Sequence, residues 1–188
     1  MRCVSKGRWR VMRAISLWPE WAWAVMHLDK RIENRSWTRP NMTGRFVAIH
    51  ATKYVGGAPG AVAERRGIET MVRSAIGAGW WAGLSQPGDT SLMALFKKGD
   101  EEVQVDARYL ERSAIVGVAQ LERFAFGTKP APWGEVDAWW WHFAQVRRFA
   151  TPIPMSGRQG LWPLPPDVDA LVRDLMQPEL ELIEGGLQ

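Results

Sequence analysis

The residues best able to do chemistry lie in one octapeptide, Lys30-Arg-Ile-Glu-Asn-Arg-Ser-Trp37. Read as a strand, it sends alternate side chains to opposite faces. Glu33, Arg35 and Trp37 then share one face, and Ile32, Asn34 and Ser36 share the other. An acid, a guanidinium and an indole are poor core material but suit a ligand. The indole stacks a ring, the carboxylate accepts from an amino group, and the guanidinium pairs with a phosphate or carbonyl. The plainer alternative is a Glu33–Arg35 surface ion pair, worth at most ~1 kcal/mol.

A second segment, Arg45-Phe-Val-Ala-Ile-His-Ala-Thr-Lys53, sets Phe46, Ala48 and His50 on one face of an apolar strand, with Lys53 just beyond it. A strand histidine is either a satisfied core residue or, beside Lys53 and the Glu33–Arg35 strand, a proton carrier near neutral pH. A third, Pro154 to Trp162, holds Ser156, Gly157 and Arg158 in a turn. Its exposed N–H groups and guanidinium fit a phosphate or base edge, or the segment is a plain connection. Trp162 is either core or a stacking ring. The run Trp139–Trp141 must direct rings to both faces of its strand, so at least one ring is core.

These residues need elements to position them. Ala14–Trp18 reads as a strand ended by Pro19, Glu20–Leu28 as a helix, Arg31–Trp37 as a strand and 38–44 as a turn. Arg45–Ala51 is apolar on both parities, as for a strand buried on both sides. Ala61–Ile76 has helical composition and is followed by Gly77 and Gly79. Residues 84–112 are irregular and read as an insertion, with a solvated turn at 97–102 and a helical turn at 107–113. Ser113–Leu121 is a strand whose Gly117 marks a bulge or tight bend. Residues 127–138 form a Pro/Gly loop, Trp139–Phe149 a strand, and Asp167–Met176 a terminal helix with Asp167 as N-cap. Short strands, Gly/Pro turns and a few helices predict an α+β barrel rather than a doubly wound sheet.

Composition narrows the function. Of the 188 residues, 12 are tryptophan, the best side chain for stacking bases. Residues 1–55 carry 11 Lys/Arg against 3 Asp/Glu, and the remainder is acidic. That asymmetry suggests a face that meets phosphate. The single cysteine, Cys3, excludes an internal disulfide, and His27, His50 and His142 show no metal spacing. The expectation is a reduced cytoplasmic protein with no metal and no cofactor. No apolar run approaches the ~20 residues of a membrane span, so no membrane partner is expected. Residues 1–13 read as a basic extension or as an over-long start ahead of Met12. No dinucleotide-binding or P-loop motif occurs.

In order along the chain, "AISLWPEWAWAVMHLDKRIENRSW" (14–37), "GRFVAIHATK" (44–53), "SAIVGVAQL" (113–121) and "FAQVRRFATPIPMSGRQGLWPLP" (143–165) resemble the ASCH family of the PUA-like superfamily. The resemblance implies one domain over residues 14–188, with 84–112 inserted. It implies a PUA-like mixed β-barrel with flanking helices, whose cleft binds RNA or other nucleic acid, or a modified nucleoside. Its motif maps to Lys30, Glu33, Asn34, Arg35, Trp37, His50, Lys53, Ser156, Gly157 and Trp162. Some relatives are amidohydrolases that use a Lys-x-x-Thr pair, and others are assigned ribonuclease activity. Here Glu33 stands at the threonine position. Three readings follow. One is a binding module, with Lys30, Lys53 and Arg158 on phosphates. Another is a metal-independent ribonuclease or nucleoside hydrolase that uses Lys30, Glu33, His50 and Lys53. The third is a protein-interaction barrel.

Overall fold

The computed structural model describes residues 11–85 and 92–177. The chain forms a mixed α+β fold around a six-stranded sheet that curls into a half-barrel, with a separate three-stranded sheet beside it. In chain order the elements begin β1 (Arg13–Leu17), α1 (Pro19–His27), β2 (Ile32–Arg35), β3 (Phe46–Ala51) and α2 (Ala61–Gly77). They continue β4 (Trp81–Leu84), β5 (Met93–Lys98), β6 (Glu101–Asp106), β7 (Ala114–Phe126), β8 (Trp139–Pro154), β9 (Leu161–Pro163) and α3 (Pro166–Met176).

The large sheet runs β2-β8-β7-β3-β1-β9. β1 and β3 pair in parallel with Ser16 opposite His50, and the other neighbours are antiparallel. β7 and β8 are long enough to bend, and they do so at bulges. One register shift falls between Ile115 and Gly117, where the glycine was expected to mark a bend. β9 covers β1 only from Arg13 to Ile15, so the chain at Ser16 has no strand on that side. The half-barrel is therefore left with a seam between β2, the edge strand, and the exposed end of β1.

Side-chain parity on β3 explains how the two faces of the sheet are used. Val47, Ile49 and Ala51 point to the concave core with Ile15, Leu17, Leu121, Trp141 and Phe143, which α1 plugs with Ala22 and Val25. Ala48 points the other way, to a core formed with Val118, Phe149, Trp162 and Val172 of α3. A third core joins α1 and α2 to the small sheet through Ala24, Ile68, Met71, Phe96 and Val105.

Two expectations need correction. Residues 84–112 contain a regular β5–β6 hairpin around the turn at Gly99, and its inward face shares the α2 core. Asp167 does not cap α3. Pro165 holds the N-cap position and Asp167 lies in the first turn, while Asp169 accepts a 2.9 Å bond from the Met12 N–H. No helix of the described residues is long and apolar enough to cross a membrane.

Candidate functional site

At the seam lies a cleft of about 660 Å³. β2 supplies Glu33, Asn34 and Arg35, and the turn before it supplies Lys30. The end of β1 supplies Ser16 and Leu17, the N-cap of α1 supplies Trp18, α1 itself supplies Trp21, and loop 130–135 closes the far wall with Trp133. Trp18 precedes Pro19 at the helix start, and Trp21 lies one turn further along the same face. Trp18 rests on the turn at Gly57, where an added methyl would meet its ring at 2.6 Å, and is still 46% exposed. The Trp18 indole is thus open to the cleft.

The floor is a charge triad. Glu33 accepts from the Lys30 Nζ at 3.1 Å through one carboxylate oxygen and faces the Arg35 Nε at 3.1 Å through the other. The Lys30 ammonium also bonds the Ile32 carbonyl and lies 5.6 Å from the Trp21 ring centre. Lys30 is only 3% exposed, so these partners stand in for water around its ammonium. Arg35 spans the seam, donating from Nη2 to the Ser16 carbonyl at 2.7 Å. It joins the sheet where backbone pairing stops, and two cations around one carboxylate leave the floor net positive.

Asn34 lines the cleft and also ties down its far wall. Its Nδ2 donates to the Trp133 carbonyl at 3.0 Å, and its Oδ1 accepts from the Glu135 N–H at 2.9 Å. Both ends of the amide therefore clamp the cleft loop. The loop needs the clamp because Trp133 has φ 63°, a costly conformation for a bulky residue. A second restraint comes from Asp29, which accepts from the Trp133 Nε1 at 3.0 Å and the Trp80 Nε1 at 2.8 Å and pairs with Lys98. Burial raises the Asp29 pKa, but the bonds from Lys98, Trp80 and Trp133 outweigh it and hold the carboxyl below its ordinary range.

The other expected site residues lie elsewhere. Trp37 is on the anticipated side but packs edge-on against Trp141, 4.6 Å between centres, and does not line the cleft. His50 follows the parity of Ala48 to the far face of the sheet. There it meets Trp162 edge-on at 5.8 Å, and Gly157 covers it so closely that an added methyl would lie 2.4 Å from Nδ1. Ser16 belongs to both regions. Its Oγ donates to the Arg158 carbonyl at 2.8 Å and accepts from the Trp162 Nε1 at 3.2 Å. Ser156, Gly157 and Arg158 form an exposed strap over His50, Trp162 is buried, and Lys53 is exposed with its ammonium 5.2 Å from the Tyr54 ring centre. Among the cleft residues, Ser16, Trp18, Trp21 and Trp133 were not singled out from the sequence. The signal was there for two of them, in the Trp-Pro-x-Trp spacing that starts α1.

The His50 ring is enclosed, only 1% exposed. Its Nε2 donates to the Met155 carbonyl at 3.0 Å, which leaves Nδ1 buried and unpartnered. Burial pushes its pKa below the ordinary 6.5, and the Met155 bond only partly offsets that. A depressed histidine makes its full contribution to stability above 6.5 and loses it as the pH falls from there toward the folded value. The Tm advantage of wild type over His50→Gln should thus shrink between neutral and mildly acidic pH. A constant advantage in melts across that range would show that the ring is not held neutral.

Among the described residues no three His, Cys, Asp or Glu side chains gather as a metal-ligand group. Lys30 and Glu33 meet in the cleft, but His50 and Lys53 do not join them there. The geometry therefore assembles a polar, ring-lined cleft that holds two of the four residues of the acid–base set. No family model matches the chain, and no curated protein matches it.

Proposed function

We propose that this chain is an ASCH-type, PUA-like domain that binds nucleic acid, RNA foremost, by drawing one unstacked base or modified nucleoside into the seam cleft. The observation that carries the reading is the cleft itself. Indoles at its mouth and wall face a floor where Lys30, Glu33 and Arg35 are held in fixed register. Its volume falls within the ~300–1,000 Å³ of small-ligand sites. Trp18 and Trp21 offer π-faces to the base, Glu33 an acceptor for an exocyclic amine, and Arg35 a donor for a carbonyl or phosphate. Asn34 acts indirectly by holding the Trp133 wall.

Titration of single-stranded RNA, single-stranded DNA and free nucleosides, followed by tryptophan fluorescence, tests the reading. Trp18 is exposed enough to remove without cost to the core. Trp18→Ala should weaken binding roughly 10- to 100-fold, the equivalent of one base–aromatic stack of ~1–3 kcal/mol. If no polynucleotide or nucleoside changes the fluorescence, or if Trp18→Ala binds as wild type does, the proposal fails.

A further inference from the structure

A second concavity, of about 2060 Å³, opens where β1 begins and where the chain has left β2. Among the described residues its lining includes Arg13, Arg39, Arg45, Arg147 and Arg173 against one carboxylate, Asp169. Asp169 is already held by Arg173 at 3.1 Å. Arg13, Arg39 and Arg45 are exposed and form no ion pair among the described residues. Arg13 donates only to the Leu161 carbonyl, at 3.0 Å. Two of the five guanidiniums are backed by rings: Arg39 lies 5.4 Å from the Trp37 centre and Arg147 5.9 Å from that of Phe46. Exposed guanidiniums with no ion-pair partner among the described residues, as at Arg13, Arg39 and Arg45, are the side chains that recognise phosphate.

The position of the groove is as informative as its charge. Ser16 lines the cleft and Arg13 lines the groove, three residues along one strand and so roughly 10 Å apart. On the opposite bank, β2 supplies Arg35 to the cleft, and the chain that follows it supplies Arg39 to the groove. A polymer with one unit in the cleft meets the groove within a few further units.

We infer that the arginine-lined groove is a separate site for the sugar-phosphate backbone of single-stranded nucleic acid, continuing the strand whose base enters the cleft. This deepens the reading of the cleft as a base pocket, making the ligand a polynucleotide rather than a free nucleoside. The test uses the full chain and the double variant Arg39→Ala/Arg45→Ala, with a labelled oligouridine of about 12 nucleotides and, separately, free uridine. Three backbone contacts predict that wild type loses roughly 20-fold in oligouridine affinity between about 50 and about 200 mM salt. The double variant should lose only about threefold, with one contact left. Uridine affinity should be equal in the two proteins. An unchanged salt response in the variant, or a duplex that competes as well as the single strand, overturns the inference. Uridine binding by the variant in that case leaves the cleft reading standing. Loss of uridine binding with the expected salt response would instead sink the cleft and keep the groove.

Discussion

Glu33→Gln should lower stability by about 3–5 kcal/mol, the usual cost of removing one member of a buried ionic group. At 2–4 °C per kcal/mol for a chain of this size, that is a fall in Tm of about 6–20 °C. The amide keeps the volume of the side chain, so lost packing does not explain the effect. What is lost is the negative charge between Lys30 and Arg35, which leaves two cations facing one another across the cleft floor. Arg35 is partly exposed and can turn toward water. Lys30 cannot, because it is sealed beneath Trp21 with only the Ile32 carbonyl left to it. The double variant Lys30→Met/Glu33→Gln should therefore recover a large part of the loss, a non-additivity expected of contacting residues. A single variant that melts within a degree or so of wild type would mean that the triad is solvated and Lys30 needs no counter-charge.

The same triad shows what the sequence could reveal about the site. Strand alternation puts Glu33 and Arg35 on one side, and the structure joins them as an ion pair, which the surface-pair alternative also foresaw. That the pair lies on the floor of a cleft could not be read locally, because the cleft exists only where a curled sheet fails to close. Lys30 enters through the turn before the strand, a position that periodicity does not describe. His50 shows the opposite limit. Its grouping with Phe46 and Ala48 holds, but a parity within one strand does not say which face of the barrel that side becomes. Here that side meets Trp162 and Gly157 and does not reach the cleft that holds Glu33.

Helices and central strands were legible because their burial is written in their own sequence. β3 is apolar on both parities and is enclosed on both faces, and α2 ends at the predicted glycines. The small sheet was missed, although Ala94 and Phe96 alternate inward on one side of the Gly99 turn and Val105 lies inward on the other. The charged end of its hairpin, Lys97, Lys98, Glu101 and Glu102, dominates the composition and hides the alternation. Trp133 was passed over for a similar reason. A Pro/Gly loop carries no period, and what fixes this one is an asparagine 99 residues away.

Gly117→Ala should be at least as damaging as the loss of Glu33, and it tests the bend on which the half-barrel depends. The added methyl would sit 2.2 Å from the Arg147 carbonyl oxygen and 2.8 Å from the Met26 sulfur. The methionine can swing aside. The carbonyl belongs to the backbone of β8 and cannot, because Gly117 and Arg148 are in register beside the bulge. Relief would require the two longest strands to separate where they bend together. Overpacking of this kind costs 1–3 kcal/mol when side chains absorb it and more when backbone must move. A loss above about 3 kcal/mol is expected, read from urea unfolding as a lower midpoint. Gly134, by contrast, approaches only the Trp140 ring, at 2.8 Å, so Gly134→Ala should be milder in stability and stronger in its effect on the Trp133 wall. If Gly117→Ala unfolds with wild-type midpoint and slope, β7 and β8 do not cross as closely as described, and the curl that opens the seam needs another cause.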